Sequence, residues 1–262
     1  MLLLMPILGL LLAATLVGIA AWHALSNPRS QWLGPALIRG AHDRWHIALT
    51  FDDGPSPITP AVLDVLKKFA VPAAFFVCGR SAEEYPQVIA RMRDAGHLIG
   101  NHTHSHPYLY FLSRPALAAE LDRAQQAIEA AGGATPAMFR PPYGARWFGL
   151  YPLLRERGMR LVNWSIATDE WSLNGSQLAR SLTDALHPGA IVLLHDGHQV
   201  RQGVMEKLKL RPYTPADPGQ SPVHAQALLE ALPLLIEGAR KAGYEWVGLD
   251  ALATSDDAPG KL

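Results

Sequence analysis

The sequence predicts an α/β fold, a parallel sheet closed or nearly closed as a distorted (β/α)7 barrel, preceded by an N-terminal apolar segment. Seven short apolar runs alternate with stretches of helical periodicity, and the connections between most of them are short. A doubly wound open sheet is the runner-up, but the chain carries neither a Gly-x-Gly-x-x-Gly nor a Walker A sequence. At 262 residues and 49% hydrophobic, the chain is long enough for one sizeable domain with a full core. A formal net charge of +0 gives no electrostatic reason to expect nucleic acid, and no protein partner is read from the sequence. The single cysteine, Cys78, excludes an intrachain disulfide and any cysteine-based zinc cluster. It follows Phe75-Phe76-Val77 and reads as a small core hydrophobe, so a metal would have to be held by histidines and carboxylates.

Met1 to Trp22 contains no charged residue, and a run of about 20 apolar residues is long enough to span a bilayer. No Lys or Arg precedes it and no small-x-small cleavage site follows. Residues 1–25 are therefore read as an uncleaved single-pass transmembrane anchor, with a cleaved signal and a secreted product as the alternative. Arg29, Arg39 and Arg44 follow the span, which by the positive-inside tendency favours a cytoplasmic domain. They are spread out and large domains can be exported regardless, so an extracytoplasmic domain is the expectation. Residues 26–44, rich in Pro, Gly and Arg, read as a linker outside the core, 45–252 as the folded domain, and 253–262 as a flexible tail.

Within the domain, Ile47-Ala48-Leu49 opens a buried strand that ends at Thr50-Phe51-Asp52-Asp53-Gly54-Pro55. Thr59 to Phe69 has helical spacing, Ala73 to Val77 is strand 2, and a second helix runs through Glu84 to Ala95 until Gly96 stops it. Strand 3 is His97 to Gly100, helix 3 covers Arg114 to Ala131, and strand 4 is Ala137 to Phe139. A helix near Phe148 to Arg157 leads to strand 5, Arg160 to Trp164. Helix 5 is Ser176 to Leu186, strand 6 Ala190 to Leu194, helix 6 His224 to Ala242 and strand 7 Tyr244 to Val247. Between Gly197 and Val223 no element is evident. That stretch, with Arg201, Lys207, Lys209 and Arg211, is either a solvated excursion or a flap facing substrate or membrane.

Adjacent carboxylates at the end of a buried strand are costly unless a charge compensates them. A divalent cation would let Asp53 or Asp52 ligate while its neighbour acts as base, although Asp-Asp-Gly is also an ordinary turn. In Asn101-His102-Thr103-His104-Ser105-His106, His102 and His106 are four apart, and one helical turn would put both imidazoles on one face. Two His and a carboxylate form a common ligand set with an open position, while a solvated histidine-rich loop is the other reading. His104 projects differently and reads as a rim residue or one behind the ligands. The placement of these residues outweighs any one motif. Asp52 and Asp53 follow strand 1, His102 and His106 strand 3, Arg140 strand 4, Glu170 and Trp171 strand 5, and His195 ends strand 6. In a parallel barrel all lie at the C-terminal rim, where such folds build their sites.

These residues resemble the NodB-type polysaccharide deacetylases (carbohydrate esterase family 4). That family's motifs occur in order as Thr50-Phe51-Asp52-Asp53-Gly54, His102-Thr103-His104-Ser105-His106, Arg140-Pro141-Pro142-Tyr143-Gly144, Asp169-Glu170-Trp171 and Leu193-Leu194-His195. The resemblance covers about residues 45 to 250 and implies a distorted barrel, the NodB homology domain. It implies a metal-dependent hydrolase that removes N-acetyl groups from an amino-sugar polymer or oligomer such as peptidoglycan, a chitin-type oligomer or exopolysaccharide. Asp53, His102 and His106 would hold a divalent ion, zinc first, with cobalt, nickel or manganese as substitutes. Asp52 would be the base that activates a metal-bound water, and Arg140 would orient Asp52 and keep it ionised. The backbone N–H of Tyr143 would support the oxyanion, His195 would protonate the leaving amine, and Leu193 and Trp171 would wall the acetyl pocket.

The fourth motif departs from the family pattern of Asp-Trp with a further Asp three residues earlier. Here Glu170 precedes Trp171 and Ala167 occupies the earlier place, which bears on how His195 is steadied. Glu170 takes that role with altered geometry, Asp169 takes it, or Glu170 is a surface carboxylate. Two other functions compete with N-deacetylation. One is an O-acetyl esterase acting on an acetylated glycan, and the other is a membrane-tethered glycan-binding protein with a degenerate site.

Overall fold

The protein is described from a computed structural model, which covers residues 4–147, 149–197 and 222–252. Seven parallel strands form one curled sheet: β1 (His46–Asp52), β2 (Ala73–Val77), β3 (Leu98–Asn101), β4 (Met138–Phe139), β5 (Arg160–Leu161), β6 (Ile191–His195) and β7 (Glu245–Trp246). They are ordered β5-β4-β3-β2-β1-β6, and β7 pairs with the start of β1. Past β5 the chain bends back to β6, where Ile166 bridges Val192 in parallel and Leu193 N donates to Ile166 O at 2.9 Å. That bridge joins the two ends of the sheet, so the structure supports the near-closed parallel barrel expected from the sequence.

Strand periodicity divides the core. In β1, Ile47, Leu49 and Phe51 face the helices and pack with Phe75, Val77, Val192 and Leu194. The alternate set faces inward, and small side chains there (Ala48 and Ala74 beside Phe76 and Ile191) keep the interior narrow. By the same alternation Thr50 and Asp52 on β1, and Leu193 and His195 on β6, point into the barrel at its C-terminal end, with Asp52 paired in register with His195.

Helix α1 (Leu4–Ser26) precedes the sheet, and around the sheet lie α2 (Thr59–Phe69), α3 (Gly79–Glu84), α4 (Pro86–Asp94), α5 (Arg114–Ala130), α6 (Leu150–Glu156), α7 (Gly175–Asp184), α8 (Pro222–Lys241) and α9 (Leu249–Leu252). Local chemistry sets their ends. Ser113 caps α5 by accepting from Ala116 N, and Asn174 with Gln177 forms a complete capping box on α7. Helix α8 buries Leu228, Leu232, Leu235 and Ile236 completely against the sheet and α7.

Several expectations need correction. The helix read through Glu84 to Ala95 is two helices, because Tyr85 leaves the helical region (φ −125°, ψ 55°) immediately before Pro86. The helix read from Phe148 begins at Leu150, and Phe148 itself is outside the described residues. The loop with Arg201, Lys207, Lys209 and Arg211, and the tail from Ser255 to Leu262, also lie outside them. Part of the segment read as a linker belongs to the fold. Leu37 is buried and bridges Val162, and Gly40 N donates to Gly189 O at 2.8 Å. The N-terminal stretch forms α1, with Leu10, Leu11, Leu12, Leu16, Val17 and Ile19 exposed. Among the described residues no helix is long and apolar enough to cross a membrane, so the transmembrane reading has no support on that count.

Candidate active site

Each strand end delivers a polar side chain to the barrel mouth. On β1, burial of Asp52 is matched by the Arg140 guanidinium, whose Nη1 donates to Asp52 Oδ1 at 2.7 Å and to Thr50 Oγ1 at 2.8 Å. Arg140 Nη2 donates to Asn163 O at 3.0 Å, and the cation lies over the Phe76 ring, 4.1 Å from its centroid. Burial lowers the Arg140 pKa, and the Asp52 carboxylate offsets only part of that. With Oδ1 committed to Arg140, Asp52 turns Oδ2 toward His102, 3.8 Å from Nε2.

Asp53 leaves the strand in a left-handed conformation (φ 71°), which swings its carboxylate away from that of Asp52 and toward the histidines. Its Oδ1 is 3.3 Å from His102 Nε2 and 3.1 Å from His106 Nε2. One ligand atom from each of Asp53, His102 and His106 falls within 4.8 Å of the others, and all three residues are buried. The donor set of two imidazole nitrogens and one carboxylate suits a divalent ion of the zinc type. His102 Nδ1 makes a 2.7 Å hydrogen bond with Arg140 O, which directs Nε2 into the cluster as a metal-ligating imidazole requires. Burial would raise the Asp53 pKa, but His106, His102 and His195 together hold it well below the usual carboxylate range.

The two histidines do not meet on a helical turn. Residues 102–106 form a loop in which Thr103 (φ 66°) and His106 (φ 53°) are left-handed, Thr103 Oγ1 accepts from His106 N, and Asn101 Oδ1 accepts from Thr103 N. Glu120 on α5 accepts from the backbone of His104 and Ser105. His104 turns away from the cluster, buried, with Nε2 2.6 Å from Arg123 Nη2. Tyr143 is also left-handed (φ 60°), and its ring stacks on Tyr108 at 4.2 Å and meets His106 edge-on. Among the described residues, four of the five non-glycine residues with positive φ thus belong to this mouth, a concentration of backbone strain typical of a functional site.

On the opposite side, His195 keeps about a quarter of its side chain exposed, while Glu170 is buried behind it. His195 Nδ1 is hydrogen-bonded to Glu170 Oε1, and His195 N donates to Oε2 at 3.2 Å. Burial alone would lower the His195 pKa, but Glu170, with Asp53 and Asp52, pushes it up to about 10. Burial raises the Glu170 pKa, and His195 and His224 reverse this and lower it. Glu170 is thus no surface carboxylate, and Asp169 bonds instead to Ser172. Trp171, partly exposed, tilts over His195 with centroids 5.7 Å apart, and Leu193 is buried one turn of the pleat below His195.

Sequence reasoning missed several supporting residues: Thr50, Asn101, Glu120, Asn163, Asp196 and His224. Asp196 carried a signal, since it directly follows His195. Its buried carboxylate accepts from Thr59 Oγ1 at 2.6 Å, its carbonyl accepts from Ser56 Oγ, and its N donates to Asp52 O. Burial pushes its pKa up to about 7. Asn163 and Glu120 act through backbone groups, which no side-chain pattern announces.

Residues 39–162 match the model of the polysaccharide deacetylase family. Among curated proteins, a peptidoglycan-N-acetylglucosamine deacetylase of Bacillus cereus is 33% identical over 158 residues, which are 60% of this chain and 58% of that protein. A chitooligosaccharide deacetylase of Bradyrhizobium sp. (strain ANU 289) is 41% identical over 155 residues, 58% of this chain and 71% of its own length. Among solved structures, the Bc1960 peptidoglycan N-acetylglucosamine deacetylase superposes with a TM-score of 0.70 at 28% identity. That likeness covers 83% of this chain and 92% of the other.

Proposed function

The chain belongs to the polysaccharide deacetylase family, and from that premise we propose that it is a metal-dependent hydrolase removing N-acetyl groups from an amino-sugar polymer or oligomer. The observation that carries this reading is the flanking of one ligand cluster by a buried carboxylate and a partly exposed imidazole. Asp52 lies on the Arg140 side of Asp53, His102 and His106, and His195 faces from the neighbouring strand β6. Pure glycan binding requires neither group.

When bound at Asp53, His102 and His106, a divalent ion supplies Lewis-acid polarisation of water and of the acetamide carbonyl. Asp52 Oδ2 accepts the proton of the attacking water, its other oxygen held by Arg140. The Tyr143 backbone N–H supports the carbonyl oxygen as it gains charge. His195, protonated at neutral pH under the influence of Glu170, delivers a proton from Nε2 to the departing nitrogen, leaving acetate and a free amine. Leu193 and Trp171 wall the space for the acetyl methyl.

The relatives act on peptidoglycan N-acetylglucosamine or chitooligosaccharides, and either polymer class is open to this chain. The test is acetate release from peptidoglycan, chitooligosaccharides and acetylxylan, with and without chelator and with zinc, cobalt, nickel or manganese returned. N-acetyl substrates release acetate, chelator stops it and zinc restores it. Release from acetylxylan alone would make the protein an O-acetyl esterase, and glycan retention without any release would make it a binding protein. We further propose attachment to a lipid surface through α1, supported by the exposed Leu, Val and Ile side chains of that helix, and, as a separate proposal, a catalytic domain outside the cytoplasm. Recovery of the full chain in the soluble fraction would refute the attachment.

A further inference from the structure

Glu170 carries one more methylene than the aspartate found before Trp in the family pattern, and its buried carboxylate serves more than one imidazole. Oε1 takes His195 Nδ1, and Oε2 takes the His195 backbone N–H. The second imidazole is His224, in the first turn of α8, whose Nε2 lies 3.4 Å from Glu170 Oε2. His224 is 4% exposed, and its Nδ1 has no hydrogen-bond partner among the described residues. The tautomer with its proton on Nε2 therefore satisfies the ring best, with Nε2–H donating to Glu170. The His224 ring also stacks on Trp171, centroids 3.9 Å apart and planes at 25°, while Trp171 tilts over His195. One side chain from a distant helix thus touches both the partner of the acid and the wall of the acetyl pocket.

We propose that His224 is a positioning residue for the general acid, its Nε2–H fixing the Glu170 carboxylate against His195 Nδ1 while its ring seats Trp171. The longer Glu170 makes the arrangement accessible, because its two oxygens reach His195 and His224 at once. Without a donor on Oε2 beyond the His195 backbone, the carboxylate rotates about its last torsion and the imidazole loses its fixed orientation.

This inference rests on the deacetylase reading, and its test separates the two. His224→Phe keeps a flat ring against Trp171 but removes the donor, whereas His224→Gln places an amide N–H near the position of Nε2. In the full-length, zinc-loaded protein, His195 Nδ1–H is expected as a far-downfield imidazole proton in NMR spectra of labelled protein. His224→Phe moves that signal upfield and broadens it, and His224→Gln restores it. This readout requires no turnover, so it stands even where acetate release fails and the deacetylase reading falls. Where turnover is measured, His224→Phe lowers kcat about 10-fold with KM and zinc content unchanged, and His224→Gln recovers most of the loss. An unmoved His195 proton signal in a folded His224→Phe protein overturns the proposal. Equal kcat losses in the Phe and Gln variants overturn it as well, since they would mark a purely structural role.

Discussion

At the scale of single residues, Asp52 and Asp53 show how neighbours of the same type take different roles. The left-handed turn at Asp53 separates their carboxylates, so one meets Arg140 and the other meets His102 and His106. Asp52→Asn is therefore expected to lower kcat by roughly 10²- to 10⁴-fold with zinc content unchanged. His106→Ala should reduce metal stoichiometry itself, as metal analysis of the purified variants would report. Equal metal loss in both would remove the distinction. As the proposed acid, His195 is expected to set the upper end of the pH profile. Burial works against it, but Glu170 foremost, with Asp53 and Asp52, raises its pKa to about 10, so the acid form persists through the neutral range and is lost as pH rises through that value. Glu170→Gln removes the negative charge, the imidazole pKa falls, and the basic limb of kcat moves to lower pH. A limb that stays in place would mean another group is the acid. The members of the cluster could be picked out in the sequence because Asp52, Asp53, His102, His106, Arg140 and His195 all fall at or just after the ends of strands. The left-handed geometry was not, because no residue type at 53, 103, 106 or 143 demands it.

At the scale of elements, the apolar run Ile47-Ala48-Leu49 ending in Asp-Asp-Gly-Pro marked β1 as a buried strand, and the structure adds that its alternation turns Thr50 and Asp52 inward. Pro86 was an equally plain mark of the α3–α4 break, yet continuous helical spacing from Glu84 onward masked it. His102 and His106 were spaced as on a helix, but Thr103 Oγ1 and Asn101 Oδ1 hold a turn there instead. The β1–α2 turn depends on close packing that the sequence shows only as Gly-Pro. A Cβ on Gly54 would run into the Asp196 carboxylate, which Thr59 already holds. Gly54→Ala is thus expected to destabilise the fold by about 1–3 kcal/mol through overpacking. Because the turn carries Asp53, it should also weaken zinc binding. Thermal melts with and without zinc would check both, and a wild-type melt in both conditions would show that the turn tolerates the methyl.

At the scale of the whole molecule, the barrel is completed by pieces outside its seven strands. Ile166 bridges the gap to β6, and the segment before β1 supports the same side. Leu37 exchanges backbone hydrogen bonds with Leu161 and Asn163, and Pro28 O accepts from Arg146 Nη2 at 2.8 Å and Asn163 Nδ2 at 2.7 Å. Composition could not reveal this, because Pro, Gly and Arg mark a tether and a docked irregular strap alike. The consequence is asymmetric between two truncations. Removing residues 1–22 leaves Leu25, Pro28 and Leu37 in place, so the melting temperature should stay that of the full chain. Removing residues 1–44 exposes the Leu37 site, worth roughly 2 kcal/mol. It also strips the buried Arg146 and Asn163 donors of their acceptor, at about 1–3 kcal/mol each. At roughly 2–4 °C per kcal/mol for a domain of this size, the melt should fall by about 10 °C or more. The loss reaches the site as well. The carbonyl of Asn163 holds Arg140 Nη2, and Arg140 orients Asp52, so the shorter chain should lose kcat beyond what its stability explains at temperatures where it is still folded. Matching melts and matching kcat for the two truncated chains would show that residues 23–44 are a tether after all.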